Sequence, residues 1–287
     1  MQLSGVGIWS SQLRYGDPVE AAEAAAELEE LGFTALWIPD VGGPVFDAVE
    51  RLLGATKQTV IATGILNLWM HQPTDVADSY ASLTAEHGDR FLLGIGVSHA
   101  PLIDSREPGR YRKPLAATAS FLDALDAAQQ PVPVERRVLA ALGPKMLALA
   151  ATRARGAHPY LVTPEHTSTA RSVLGDGPLL LPEQTVILSD SAEQARNIGT
   201  DWLRAYLALP NYANNLLRSG FSADDLAQVS DRLFDAIIAW GDEEAIMRRV
   251  AEHRAAGADH VCVQVLLADQ TAFPREEWRR IAAACTS

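Results

Sequence analysis

The chain has 287 residues, 24 Lys plus Arg against 36 Asp plus Glu, a formal net charge of −12, and 48% hydrophobic residues. A chain this long buries ~75% of its unfolded surface without a disulfide or metal staple, and its hydrophobic content excludes a disordered polypeptide. The acidic balance argues against nucleic acid as a partner, because phosphate repulsion opposes any contact.

Cys262 and Cys285 make no Cys-x-x-Cys spacing, so neither a disulfide framework nor a structural zinc site is expected. No apolar run reaches the ~18 residues that cross a bilayer. The opening Met1-Gln2-Leu3-Ser4-Gly5-Val6 has no basic segment ahead of an apolar one, so no signal peptide is expected. These features imply a cytoplasmic protein with a small-molecule partner and no membrane contact.

Strand and helix alternate along the chain. Residues 3–9 read as a strand, and Asp17-Pro18 opens a helix by capping and by a proline at the first helical position. Residues 35–38 form a second strand, closed by Pro39-Asp40. Helix 47–56, strand 59–66, helix 74–86 and strand 91–97 repeat the unit. Helix 114–128, strand 138–142, helix 145–154 and strand 158–162 follow, with the seventh strand at 185–188 and the eighth at 261–266. The strands are continuous apolar runs, as in a parallel sheet covered on both faces.

Eight such units predict an α/β (β/α)8 TIM barrel. The stretch 192–240 is too long for a simple connection and reads as a helical insertion before the last strand, within one domain spanning 1–287. A doubly wound open sheet is the rival, but no Gly-x-Gly-x-x-Gly occurs: Gly94-Ile95-Gly96 runs into Val97-Ser98-His99.

Barrel chemistry sits at the C-terminal ends of the strands. Those ends carry Trp9, Asp40, Asn67, Trp69, Val97-Ser98-His99, Gly143-Pro144-Lys145, Thr163-Pro164-Glu165-His166 and Ser189-Asp190. No pair of acids for glycoside hydrolysis is evident. No histidine cluster marks a metal, and no Gly-x-Ser-x-Gly elbow marks a serine nucleophile. Lys145 stands at a helix start, where it is better suited to an anion than to a Schiff base.

Three segments resemble successive strand motifs of the bacterial-luciferase-like flavin and deazaflavin oxidoreductases. They are Leu36-Trp37-Ile38-Pro39-Asp40, Ala62-Thr63-Gly64-Ile65-Leu66-Asn67 and Arg90-Phe91-Leu92-Leu93-Gly94-Ile95-Gly96-Val97-Ser98-His99. Ala140-Ala141-Leu142-Gly143-Pro144-Lys145-Met146-Leu147 and Ala150-Ala151-Thr152-Arg153-Ala154-Arg155-Gly156-Ala157 resemble the family's fifth strand and helix. Ala239-Trp240-Gly241-Asp242-Glu243-Glu244-Ala245-Ile246 resembles the start of its last long helix, and His158-Pro159-Tyr160-Leu161-Val162-Thr163-Pro164-Glu165-His166 is most similar to the deazaflavin branch.

The resemblance implies a barrel whose mouth holds coenzyme F-420 or, alternatively, FMN, and a homodimer. It implies a polar residue near the ring at Asp40, with Val41 where the sugar-phosphate dehydrogenase branch has a catalytic histidine. It implies a non-proline cis peptide at Gly64-Ile65 behind the ring, with the Asn67 amide toward the ring's polar edge. Gly96 then admits the cofactor close to the backbone, flanked by Val97 and Ser98. His99 stands where relatives have an acidic glutamate, and a histidine can exchange protons near neutral pH. His99 and Asp40 are therefore the catalytic candidates.

Gly143 and the pair Gly156-Ala157 match segments that offer backbone N–H groups to a phosphate. The basic loop 104–113 is a candidate for an anionic tail, and Trp9, Trp69 and Tyr111 for the substrate wall. Trp202, Tyr206, Tyr212 and Phe221 of the insertion cover the site, form a dimer surface or pack as an ordinary amphipathic face.

Three functions follow from these expectations. The first is F-420-dependent hydride transfer to or from a small organic substrate. The second is an FMN-dependent monooxygenase of the same fold. The third is a cofactor-binding barrel without turnover.

Overall fold

The structure, a computed structural model, describes residues 3–285. β1 (Val6–Trp9) leads through α1 (Gln12–Tyr15) to α2 (Pro18–Glu30), and β2 (Ala35–Ile38) to α3 (Val45–Ala55). β3 (Val60–Thr63) and the short β4 (Leu66–Asn67) lead to α4 (Pro73–His87), and β5 (Phe91–Gly96) to α5 (Ala100–Arg106) and α6 (Pro114–Asp126). β6 (Arg137–Leu139) precedes α7 (Pro144–Arg153), and β7 (Gly156–Ala157) precedes α8 (Pro164–Leu174). β8 (Leu179–Leu180) and β9 (Glu183–Leu188) are followed by α9 (Ala192–Leu207), α10 (Pro210–Arg218), α11 (Ala223–Gln228) and α12 (Asp231–Ile237). β10 (Ile238–Gly241), α13 (Glu243–Ala255), β11 (Val261–Val265) and α14 (Arg275–Cys285) complete the order.

Every strand pairing is parallel, and the path runs β10-β9-β11-β1-β2-β3-β5-β6-β7-β8, with β4 on β5. β8 and β9 are two parts of one run of chain. Leu181 N donates to Ala157 O on one side of that run, and Cys262 N donates to Pro182 O on the other. That run is thus bonded to both neighbours, and the eight expected staves close into a barrel.

All four residues of β2 are fully buried. Ala35 and Trp37 face the barrel interior with Val60, Ala62, Leu92 and Val138, while Leu36 and Ile38 pack against the helices. Two buried faces explain why the strands are continuous apolar runs. Asp17 caps α2 as expected, accepting from Val19 N and Glu20 N. Among the described residues no helix is long and apolar enough to cross a membrane.

Two expectations about the strands fail. The sixth stave is Gly156–Ala157 rather than 158–162. Pro159 has no N–H to continue the ladder, and Leu161 adopts a left-handed φ of +58°, so the chain turns off the sheet there. The insertion ends at Ile237, because residues 238–241 form β10 in register with β9. The helix expected from 239 starts only at Glu243, where the Asp242 side chain caps Ala245 N.

Gly156 is required where it is. A Cβ there would lie 1.9 Å from the backbone oxygen of Leu179. Gly156→Ala should destabilise the barrel by about 3 kcal/mol through backbone overpacking, lowering Tm by roughly 5 °C. An unchanged melting curve would contradict this reading of the β7–β8 contact.

Candidate functional site

The C-terminal ends of the staves open into a cavity of about 720 Å³. Trp9, Asp40, Gly64, Ile65, Val97, Ser98, His99, Tyr111 and Gly143, all singled out in the sequence, line it. So do Ala140, Ala141, Leu142, Met146, His158 and Tyr160 of the barrel, and Tyr206, Leu209, Asn211, Tyr212, Asn214 and Arg218 of the insertion. The insertion therefore covers the site.

The floor is the Gly64–Ile65 peptide, which is cis. Trp9 Nε1 donates to Gly64 O at 2.9 Å. Gly96 lies beneath rather than in the cavity, since a Cβ on it would stand 2.6 Å from Ile65 Cγ1. Its missing side chain makes room for Ile65, and Ile65 presents the apolar surface.

Asp40 is 2% exposed. Its Oδ1 accepts from Gly42 N at 3.2 Å, and its Oδ2 from Asn67 N at 3.1 Å and His71 Nε2 at 2.7 Å. With those donors in place the carboxylate ties the β2 and β4 loops together. His71 had no signal in the sequence, because it lies thirty-one positions from its partner.

His99 precedes α5, and its ring lies 5.0 Å from that of Tyr212. Its Nδ1 is buried without a partner. Burial lowers its pKa to about 4, so the imidazole is neutral at neutral pH instead of titrating there. His158 is a second ring nitrogen without a partner. It stacks on Trp37 at 4.4 Å, its Nδ1 pairs with Leu181 O at 2.7 Å, and its Nε2 has no bond. It too is held neutral by burial, with a pKa of about 4.

At one end of the cavity the N-terminus of α7 begins behind Gly143. A Cβ on Gly143 would meet nothing closer than Arg218 Nη2, 3.8 Å away. Pro144 has no N–H and Met146 N and Leu147 N bond to Gly143 O, so Lys145 N and the helix dipole, beside a guanidinium, make the site for an anion. Asn215 Oδ1 accepts from that guanidinium at 3.2 Å and orients it.

Several expected residues do not reach the cavity. Gly156 and Ala157 are buried in the β6–β7–β8 ladder, so their backbone groups serve the sheet and face no phosphate. Asn67 is fully buried, and its Oδ1 accepts from Trp69 N at 3.2 Å in a turn. Trp69 stands behind Tyr111, at 5.6 Å between rings, with its Nε1 on Val97 O. In the basic loop Arg106 holds Val41 O at 2.8 Å, and Arg110 holds Trp69 O at 2.6 Å and pairs with Glu107. Those charges brace the loop.

Comparison with known proteins agrees with this architecture. A family described as luciferase-like monooxygenase matches residues 3–260. A putative coenzyme F-420-dependent oxidoreductase of Mycobacterium tuberculosis is 24% identical, over 92% of this chain and 95% of the relative. A solved F-420-dependent secondary alcohol dehydrogenase with an F-420-acetone adduct superposes with a TM-score of 0.75 at 16% identity, covering 99% of this chain and 98% of that one. The oxygenating constituent of 3,6-diketocamphane monooxygenase from Pseudomonas putida, in complex with FMN, superposes with a TM-score of 0.71 at 12% identity, covering 97% and 96%. At these identities the solved structures share the fold.

Proposed function

Because the chain belongs to the luciferase-like monooxygenase family, we propose that it is an oxidoreductase that uses coenzyme F-420 to exchange a hydride with a small organic substrate. The observation that carries this reading is the cavity itself: an apolar floor with two unpartnered ring nitrogens, running to a helix N-terminus beside a free arginine edge. The F-420-dependent relative with 24% identity over nearly its whole length supports the same choice of cofactor.

The residues present fit such a group. Ile65 and Val97 offer flat apolar contact to a ring system, and His158 Nε2 is a buried polar atom that a polar ring edge would satisfy, which leaves His99 Nδ1 for the substrate. The α7 N-terminus and Arg218 would hold the phosphate. The bound deazaflavin supplies the hydride chemistry, which no side chain can provide.

The protein's own tasks are binding, orientation and proton handling. The neutral His99 imidazole takes the proton of a substrate hydroxyl at Nδ1, or returns it in the reverse direction. Asp40 and His71 keep the β2 and β4 loops in place around the floor. The insertion closes over the site and limits water.

Side-by-side titration with F-420 and FMN tests the reading. F-420 should bind with micromolar affinity, and Arg218→Ala should weaken it about tenfold through loss of one charge-assisted contact. Retention of FMN with oxygen consumption, and no response to F-420, would replace the reading with an FMN monooxygenase.

A further inference from the structure

Three tyrosines meet at the inner end of the cavity. Tyr160 follows the sixth stave, Tyr206 ends α9 and Tyr212 lies in α10. Their ring centroids are 5.5 Å (160–206), 5.9 Å (160–212) and 5.5 Å (206–212) apart. Trp9 extends this wall at 5.4 Å from Tyr160, and His99 at 5.0 Å from Tyr212. We infer that this wall selects the substrate, and that the substrate is an uncharged molecule with a compact apolar ring or chain and one hydrogen-bond-accepting oxygen, a ketone or secondary alcohol in type. The inference rests on the oxidoreductase reading of the cavity and names the substrate class for it.

The acceptor follows from the hydroxyls. Tyr160 OH is 2.6 Å from Gln264 Oε1 and 3.1 Å from Tyr206 OH, so it is occupied. Among the described residues Tyr212 OH makes no hydrogen bond, although the residue is only 8% exposed. A buried phenol with no partner favours a ligand oxygen that accepts from it.

The absence of charge follows from the wall's composition. Burial raises the tyrosine pKa values and lowers that of His99, so all four groups are neutral at neutral pH. The carboxyls are engaged elsewhere: Glu183 oxygens accept from Thr185 Oγ1 and Leu161 N, and Asp40 of the cavity lining accepts from Gly42 N, Asn67 N and His71 Nε2. Arg218 lies six residues beyond Tyr212 on α10, ~9 Å along the helix axis, at the end assigned to the phosphate. A carboxylate or ammonium at the tyrosine wall would therefore lose hydration without a counter-ion.

An aromatic cage for a cation is also excluded by spacing. A cation held between rings needs each face within ~6 Å of it on opposite sides. Here the tyrosines touch one another and leave no room between them, so they form one continuous surface.

Ligand-observed NMR on the whole protein tests this, with and without bound F-420, using cyclohexanone, cyclohexanol, cyclohexanecarboxylate and cyclohexylammonium as probes. The neutral pair should bind saturably and at least tenfold more tightly than either ion. Tyr212→Ala should weaken cyclohexanone about tenfold and Tyr212→Phe about threefold, the latter with an unchanged melting temperature. Ions binding as well as the ketone, indifference to both Tyr212 variants, or no saturable ketone binding in either state would overturn the inference. Selective ketone binding without any response to F-420 would leave the substrate class standing and remove only the cofactor.

Discussion

His99→Ala should lower kcat at least a hundredfold while leaving the F-420 dissociation constant within about threefold, the range lost when a positioned proton acceptor is removed. The ring has a buried Nδ1 without a partner and faces the cavity beside Tyr212. His99→Gln, which keeps a polar side chain of similar reach, should recover little turnover, since an amide cannot take a proton. The pH profile is the sharper readout. The folded-state pKa is about 4, so the group stays unprotonated above that value. It should add no break to kcat/KM near pH 6.5, and activity should decline only as the pH nears 4. Full turnover by His99→Ala would dismiss the residue from the chemistry.

Acid should unfold the protein through its buried histidines. His158, His253 and His260 are at most 1% exposed. Burial holds their pKa values at about 4, 3 and 4. The unfolded chain, with histidine near ~6.5, takes up these protons first as the pH falls. Their contribution is thus fully present above pH ~6.5 and is lost on the way down to the folded values. Glu183 opposes them, because burial raises it to about 7 and its stabilising effect grows as the pH falls below that value. His99, with a folded pKa of about 4, adds a fourth proton; four against one leave a net of three, or ~4.1 kcal/mol per pH unit between pH 6.5 and 4.5. Urea unfolding at pH 7, 6 and 5 measures this slope, and His260→Asn should reduce it by about a third. A stability independent of pH over that interval would refute neutral burial of the three rings.

The barrel was legible because each stave has two covered faces, which leaves a run such as Ala35–Ile38 with no polar interruption. The cavity lining was legible where it coincides with strand ends, as at Asp40, Gly64, Ile65 and His99. It was hidden where function depends on a long-range partner. His71 becomes informative only once folding brings it to Asp40. His158 read as part of a strand until Pro159 and Leu161 turned the chain and left its ring against Trp37. Gly156 and Ala157 misled for the opposite reason: small residues suit a phosphate loop and a crowded ladder equally, and the approach of Leu179 O decides between them. β10 escaped notice because it directly follows α12, so an apolar run there continues a helical pattern.

β10 gives the insertion an unusual base. The four helices leave from the end of β9 and return beside that same strand, with Gly241 opposite Leu188 and Ser189 N bonded to Gly241 O at 3.0 Å. Departure and return thus share one anchorage, and the length of chain between them is not constrained by the spacing of the staves. The roof that carries Tyr206 and Tyr212 also carries Arg218, so a change of roof alters substrate preference and phosphate grip together, while the hearth at Gly64–Ile65 belongs to the staves and stays in place.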